Sequence, residues 1–597
     1  KEWLTIQDLA EIRRHKIGGG RIGGKAAGML LAQHILKNNR ELSHLPCLTI
    51  PESFYIGSDE FYTFMSINNL FSWNDQKYKP EAEMREDYPR IEEEFLKGNF
   101  PPDILDQLQT MLIKIGKKPL IVRSSSLLED NFGTAFAGKY ESIFCPNQGS
   151  LEENLGNLTR AIAQVYASVL NPNPLLYRRR RGLLDYDERM AILVQLVEGE
   201  KYGDYLMPHA AGVAFSRNTF RWAPQIRMED GFVRLVWGLG TRAVDRVGND
   251  YPRLIALSHP RLRPTNDVRS IRRYSQQYVD LLNLKKNAFE TRPVKEVLHT
   301  DYPPLRYIAQ LDEDGYFETI RSVLTTDPEK LVLTFDVLLQ RTPFADWMKS
   351  ILKSLEQAYH SPVDVEFTLK IDEDANGRPR LCIILLQCRP QGHLMETDVE
   401  PMPAGLEEGL ILFSTDFMVP HGKVEGVEWV VYVQPEAYFA LDSNAERSAL
   451  ARTVGKLNEL MKDESFICIG PGRWGSSNSD LGVPIGYGDI YNTKALVEVA
   501  GEECGLPPEP SLGTHFFQDL LESQIYPLAL QLDDPRTILN TRLLENSPNH
   551  LVEWNPEAER FTDCLRLVKI GDLLAGHKLR ILMNEELGRA IAYLAKE

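Results

Sequence analysis

Long apolar runs are missing from this 597-residue chain. The longest, such as Leu381 to Leu386 and Trp429 to Val433, fall far short of the ~20 residues that cross a bilayer, so no membrane span or membrane partner is expected. Positive charge is scarce: 67 Lys+Arg against 84 Asp+Glu leave a formal net charge of −17. Phosphate backbones repel such a chain unless it gathers positive charge locally, which argues against nucleic acid as a partner. The one dense basic run, Arg178 to Arg181, reads as a solvated helix face. The seven cysteines (Cys47, Cys145, Cys382, Cys388, Cys468, Cys504, Cys564) include no Cys-x-x-Cys pair. They read as reduced, intracellular core residues rather than zinc ligands or disulfides. A charged-then-apolar leader is also lacking and the chain begins at Lys1, so a cytoplasmic protein is expected, processed or excised from a longer one.

What is present can build several cores. Hydrophobic residues make up 43% and aromatics 9%, and at roughly 100–200 residues per domain the length implies three or four domains. The reading is α/β (α+β multidomain). A Gly-rich loop, Gly18 to Gly24, feeds Lys25 into a helix, and residues 75–110 are helix-forming. Pro119 to Val122 reads as a buried strand delivering Arg123-Ser124-Ser125-Ser126 into a loop. The nearly continuous apolar stretch Ala191 to Val197 reads as a strand covered on both faces, with 211–216 and 233–240 as its neighbours. Helices are expected over roughly 265–290 and 340–360. Val363 to Leu369 and Leu381 to Gln387 form a hairpin candidate around Asp372 to Gly377. The Pro-rich, acidic stretch 395–406 reads as a linker before a final α/β domain over 407–597.

Two constellations carry chemistry. Gly residues let backbone N–H groups approach an anion, and Lys25, Arg123 and Arg389 would neutralise it, together making a polyphosphate cradle. Each member alone is also compatible with an ordinary turn or strand end. Glu366 and Gln387, on the paired closing strands, offer the hard oxygens that Mg²⁺ takes together with substrate phosphates, although alternation alone also puts polar residues on strand faces.

The order of these segments matters more than any one of them. Gly23-Gly24-Lys25-Ala26-Ala27-Gly28 comes first, then Val122-Arg123-Ser124-Ser125-Ser126-Leu127-Leu128-Glu129-Asp130 and Phe136-Ala137-Gly138-Lys139-Tyr140-Glu141. Val194-Gln195-Leu196-Val197, Ala211 to Ser216, Trp237-Gly238-Leu239-Gly240, Val365-Glu366-Phe367 and Leu386-Gln387-Cys388-Arg389-Pro390 follow. In this register the chain resembles, from Ile17 to Pro390, the two-lobed ATP-grasp domain of the phosphoenolpyruvate synthase and pyruvate phosphate dikinase family. The resemblance implies lobes at 1–189 and 190–394 and ATP as the bound nucleotide. Lys25 and Arg123 would hold its phosphates, and Gln195, Leu196 and Val197 would form the hinge against adenine. Glu366 and Gln387 would ligate Mg²⁺, while Arg389 would stabilise charge on the transferred group. Phosphoryl transfer is catalysed chiefly by positioning and charge neutralisation, which such a set supplies.

The departures are informative. Thr241 stands where family members carry Glu after Gly-Leu-Gly, and none of the twelve histidines follows Thr-Ser, the family's phosphocarrier motif. The roughly 190 residues after the linker are too few for the family's phosphoenolpyruvate barrel, which needs about 250. The C-terminal blocks Ile469 to Asn478 and Ser511 to Asp519 must then supply any acceptor chemistry. His515, after Gly513-Thr514 and before two phenylalanines, could serve as phosphoryl carrier or general base, or simply pack. Arg473 and Trp474 could contact an anionic or ring-bearing substrate, or rigidify a loop. The expected protein is an ATP-dependent phosphotransferase acting on a histidine or small-molecule acceptor, with assembly into a homo-oligomer left open. A non-catalytic ATP-binding regulatory module is the alternative.

Overall fold

A computed structural model describes residues 5–596 except 40–41, 43–44, 46, 130–138, 181, 219–222, 224, 245–250, 264–265, 314, 323–326, 392–399, 404, 477, 487–488, 502–514, 523 and 586. The chain divides into two compact units: Lys1–Arg217 with Asp230–Ala243 and Tyr251–Gln391, and Asn218–Glu229 with Val244–Asp250 and Gly392–Glu597.

The first unit is built on two main sheets. One orders Lys16–Ile17, Ser53–Ile56, Met190–Leu196, Leu120–Ser126 and Ser142–Cys145 side by side. The strand Met190–Leu196 is buried along its whole length, as its continuous apolarity predicts. Its neighbours differ from expectation: it lies between Ser53–Ile56 and Leu120–Ser126, whereas Ala210–Phe215 and Phe232–Val236 pair with each other in the second sheet. An apolar run reports burial on both faces but carries no signal for which partner lies alongside.

The second sheet orders Arg253–Ala256, Phe232–Val236, Ala210–Phe215, Val363–Glu373, Pro379–Pro390 and Leu48–Thr49. The closing hairpin forms as predicted, with Gly377 at φ +71 in its turn and a register shift between Glu366 and Phe367. One sheet face, through Val233, Leu235, Val365 and Phe367, joins an extended hydrophobic core, against the amphipathic helix Phe344–Tyr359. The other face carries Asp364, Glu366, Gln387 and Arg389, since residues two apart on a strand share a face.

Several local expectations are corrected. Over 265–290 only Val268–Arg273 is helical; Tyr278–Asn283 and Ala288–Pro293 form an antiparallel hairpin, turned at Asn287 with φ +53. Burial of Val279, Leu281 and Leu282 in a sheet decides the structure there. The described part of the arginine run, Arg178 and Arg179, is not a solvated face; the Arg180 side chain and Arg181 lie outside the described residues. Arg178 is buried and donates to Val169 O (3.4 Å), and Arg179 donates to the carbonyls of Lys77 (2.7 Å) and Lys79 (2.5 Å). Cys47 and Cys382 form a disulfide across 335 residues of sequence, where spacing gave no hint of a pair. Cys145, Cys388, Cys468 and Cys564 are buried and form no disulfide, and Cys504 lies outside the described residues.

In the second unit, four parallel strands order Tyr526–Gln531, Ala495–Ala500, Phe466–Pro471 and Trp429–Val433, with Leu565–Lys569 antiparallel at the edge. A five-stranded sheet containing the His577–Asn584 and Arg589–Lys596 hairpin contributes to the same core. Met402 and Leu406, from the expected linker, pack on Ile411, Leu582, Ile591 and Tyr593; residues 395–399 of that linker lie outside the described residues. No helix among the described residues is long and apolar enough to cross a membrane.

Candidate functional site

The helix Gly24–Asn38 starts against the strand Leu120–Ser126 because two glycines allow it. A Cβ on Gly23, at φ +82, would lie 1.5 Å from Ser125 O, and one on Gly24 would lie 1.8 Å from Glu129 O. Ser125 Oγ accepts from Ala26 N (3.1 Å) and donates to Ile22 O (2.8 Å), satisfying one of the helix's unpaired first-turn donors. Lys25 is thereby held inside. Its Nζ lies 3.1 Å from Glu129 Oε1 and donates to Ser124 Oγ at 3.3 Å. Ser124 Oγ and Ser126 N in turn donate to the two oxygens of Glu129, each at 2.8 Å.

On the same strand, Arg123 joins residues from three other segments. Its Nη2 donates to Glu366 Oε2 (2.5 Å) and Gln387 Oε1 (2.8 Å), and its Nη1 to Gln195 Oε1 (3.4 Å). Gln195 Nε2 donates to Met29 Sδ (2.9 Å) and Leu386 O (3.4 Å), linking the strand Met190–Leu196 to the closing strand. Leu196 N and Val197 N donate to Glu52 O and Pro119 O. Arg389 Nε donates to Asp364 Oδ1 at 2.7 Å, both side chains buried.

Burial pushes the Glu366 carboxyl up, but the charges of Arg123, Lys25 and Arg389 outweigh it and hold the group down at about 2. The carboxylate is therefore anionic at neutral pH. Burial has the upper hand at Glu188, just before the strand Met190–Leu196. There it lifts the carboxyl to about 7, with Glu129 and Asp187 adding negative charge against the pull of Ser126 and Arg178. The oxygens of Glu366 and Gln387 converge on a single cationic nitrogen, so the pair fits a small hard cation by donor type and by aim.

The predicted residues Lys25, Arg123, Gln195, Glu366, Gln387 and Arg389 thus sit in one unit. Arg123 directly bonds three of them, Gln195, Glu366 and Gln387, and the charges of Lys25 and Arg389 act on one of these three, Glu366. Sequence reasoning missed Asp364 and Glu129, which pair with two of the cations. The first was readable, since it stands two residues before Glu366 on the same strand face. The position of Thr241 is also explained. Its hydroxyl donates to Asp280 Oδ2 (2.5 Å), and Arg242 (3.0 Å) and Thr291 (2.6 Å) take the other oxygen, so a carboxylate from another strand stands beside the substituted position.

The C-terminal residues fall out differently. Arg473 is 1% and Trp474 0% exposed, which favours the rigid-loop alternative of the two expected for them. Trp474 N donates to Glu498 Oε1 (2.9 Å), and the indole fills the space beside Gly470, whose Cβ would lie 2.6 Å from it. His515 opens the helix His515–Glu522, but its side chain lies outside the described residues. The two C-terminal blocks do meet: Gly475 lies against Phe516, where a Cβ would come within 2.3 Å of the ring.

Comparison with known proteins agrees with this architecture. Residues 20–409 match the family described as pyruvate phosphate dikinase, AMP/ATP-binding domain, and the chain belongs to that family. It is similar to a protein named uncharacterized phosphotransferase YvkC of Bacillus subtilis (strain 168), 27% identical over 174 residues, covering 29% of this chain and 17% of that protein. It is also similar to a rifampicin phosphotransferase of Streptomyces sviceus, 29% identical over 120 residues, covering 19% of this chain and 12% of the relative. The matches thus span less than a fifth of either relative's length.

Proposed function

We propose that the chain is an ATP-dependent phosphotransferase in which Mg-ATP binds beside Arg123 and a phosphoryl group passes to a histidine or a small-molecule acceptor. The observation that carries this reading is the convergence of Lys25, Arg123, Gln195, Glu366, Gln387 and Arg389 from separate segments onto one buried polar centre. Lys25, Arg123 and Arg389 would meet phosphate oxygens, and Gln195 to Val197 would line the adenine. Glu366 and Gln387 would hold Mg²⁺, which supplies neutralisation of charge on the transferring group. The phosphotransferase names of both relatives support the reaction class. Among histidines after the ATP-grasp motifs, His515 is the selected carrier, because a small residue and Thr precede it and two aromatics follow it. His550, by contrast, is engaged by Glu553 and Asp572.

The test follows the nucleotide. Purified protein is incubated with ATP labelled at the β- or γ-phosphate, and AMP, ADP and protein-bound label are measured. An acid-labile label on the peptide containing His515 supports the carrier. Turnover with full activity in His515→Ala assigns the acceptor elsewhere. Tight ATP binding without turnover in the presence of cell metabolites favours the regulatory module, the reading for which Thr241, bonded to Asp280 in place of a family Glu, is the specific observation.

A further inference from the structure

Arg123 occupies an unexpected place for a residue meant to hold phosphate. One nitrogen, Nη2, lies 2.5 Å from Glu366 Oε2 and 2.8 Å from Gln387 Oε1, the two oxygens that fit a divalent cation. Mg²⁺ sits about 2.0–2.1 Å from its oxygen ligands, so an ion bound to this pair would share their lone pairs and nearly touch the guanidinium. Two positive charges at that separation in a buried site repel strongly. The arrangements exclude each other.

We infer that Arg123 is the resident cation of the nucleotide-free metal site, so that Glu366 and Gln387 accept a divalent ion only after a phosphate anion has drawn the guanidinium away. This rests on the reading of Glu366 and Gln387 as metal ligands. Three features suit Arg123 to the exchange. Its Nη1 bond to Gln195 is long at 3.4 Å, and its buried Nε has no hydrogen-bond acceptor, so only one corner of the fork is tightly held. A guanidinium matches phosphate oxygens with two parallel donors, a better use of the fork than its present contacts. While it stays, it neutralises Glu366, which would otherwise be a part-buried carboxylate without that partner. The site is thereby closed to stray cations and opened by the nucleotide itself.

The probe is Mn²⁺ without nucleotide, followed on the full chain by loss of the free-ion paramagnetic resonance signal and by calorimetry. Arg123→Met should bind Mn²⁺ about tenfold or more tightly than the wild type, since a competing cation has been removed. Arg123→Met with Glu366→Gln should lose that gain. If Arg123→Met does not fold, Arg123→Lys carries the test: its single ammonium is a poorer bridge between two oxygens, so Mn²⁺ affinity should again exceed wild type. Wild-type affinity equal to that of the folded variant overturns the inference. Failure of the underlying reading looks different: Glu366→Gln would then leave Mn²⁺ uptake by the ATP-loaded wild-type background unchanged.

Discussion

Asp364 and Arg389 are register partners across the closing hairpin, and their Oδ1 and Nε lie 2.7 Å apart with both side chains buried. Lys25 with Glu129 and Arg123 with Glu366 repeat the pattern, so each proposed phosphate-binding cation already has a carboxylate of its own. A buried pair broken on one side leaves an uncompensated charge. Arg389→Ala should therefore cost about 3–5 kcal/mol of stability and Arg389→Ala with Asp364→Ala much less. Turnover should stay at least about 100-fold down in both. Urea unfolding beside ATP-consumption assays checks this, and near-normal turnover in either variant would remove Arg389 from the chemistry.

Acid should act on Glu366. Its folded-state pKa lies below the ordinary 4.5, so the ionised form contributes stability that is present above that value and lost as pH falls through about 2. Arg123→Met removes the principal stabilising charge, so it should move the onset of acid unfolding of this unit to higher pH. Intrinsic fluorescence across a pH titration reads the shift.

Glu188 has the opposite sign. A carboxyl raised to about 7 binds its proton more tightly in the folded state, so stability declines as pH climbs from the ordinary value of 4.5 through 7. Glu188→Gln should raise stability by about 2–3 kcal/mol at pH 8 and by little at pH 4. A gain independent of pH would show that something other than ionisation limits this position.

The Cys47–Cys382 bond should be visible as two fewer reactive thiols in unfolded, unreduced protein than after reduction. Cys382→Ser should lower the stability of the first unit by about 2–4 kcal/mol. Equal thiol counts before and after reduction would mean the pair is not bonded in solution.

Gly475→Ala tests the contact between the two C-terminal blocks. The added methyl meets the Phe516 ring, so overpacking should cost about 1–3 kcal/mol in the second unit while leaving ATP affinity unchanged. Calorimetric melting and ATP titration separate the two readouts.

Much of the buried polar centre was legible because its residues sit in local signals: glycines before Lys25, an apolar run before Arg123, and alternation around Glu366 and Gln387. What stayed hidden was long-range. Ser124 and Lys25 are 99 residues apart, and Asp280 reaches Thr241 across 39 residues from a stretch that read as helix. Composition located the strand Met190–Leu196 but not its sheet, because burial on both faces is the same whichever strands lie alongside. Arg473 and Trp474 look, by residue type, like a ligand-binding pair. Only the packing of Gly470 against the indole reveals why a large aromatic is required there.

The disulfide gives the helix Gly24–Asn38 the geometry of a lever. A short span beyond Asn38, Cys47 is bonded to the strand that also bears Gln387 and Arg389, and Leu48–Thr49 pairs alongside that strand. One end of the helix is leashed to the second sheet, while Lys25 stands at the other end, about 20 Å away at 1.5 Å per residue. The bond bounds how far the segment after the helix can part from that strand. A rotation of roughly 10° over that arm would carry the ammonium by about 3.5 Å, comparable to its 3.1 Å distance from Glu129.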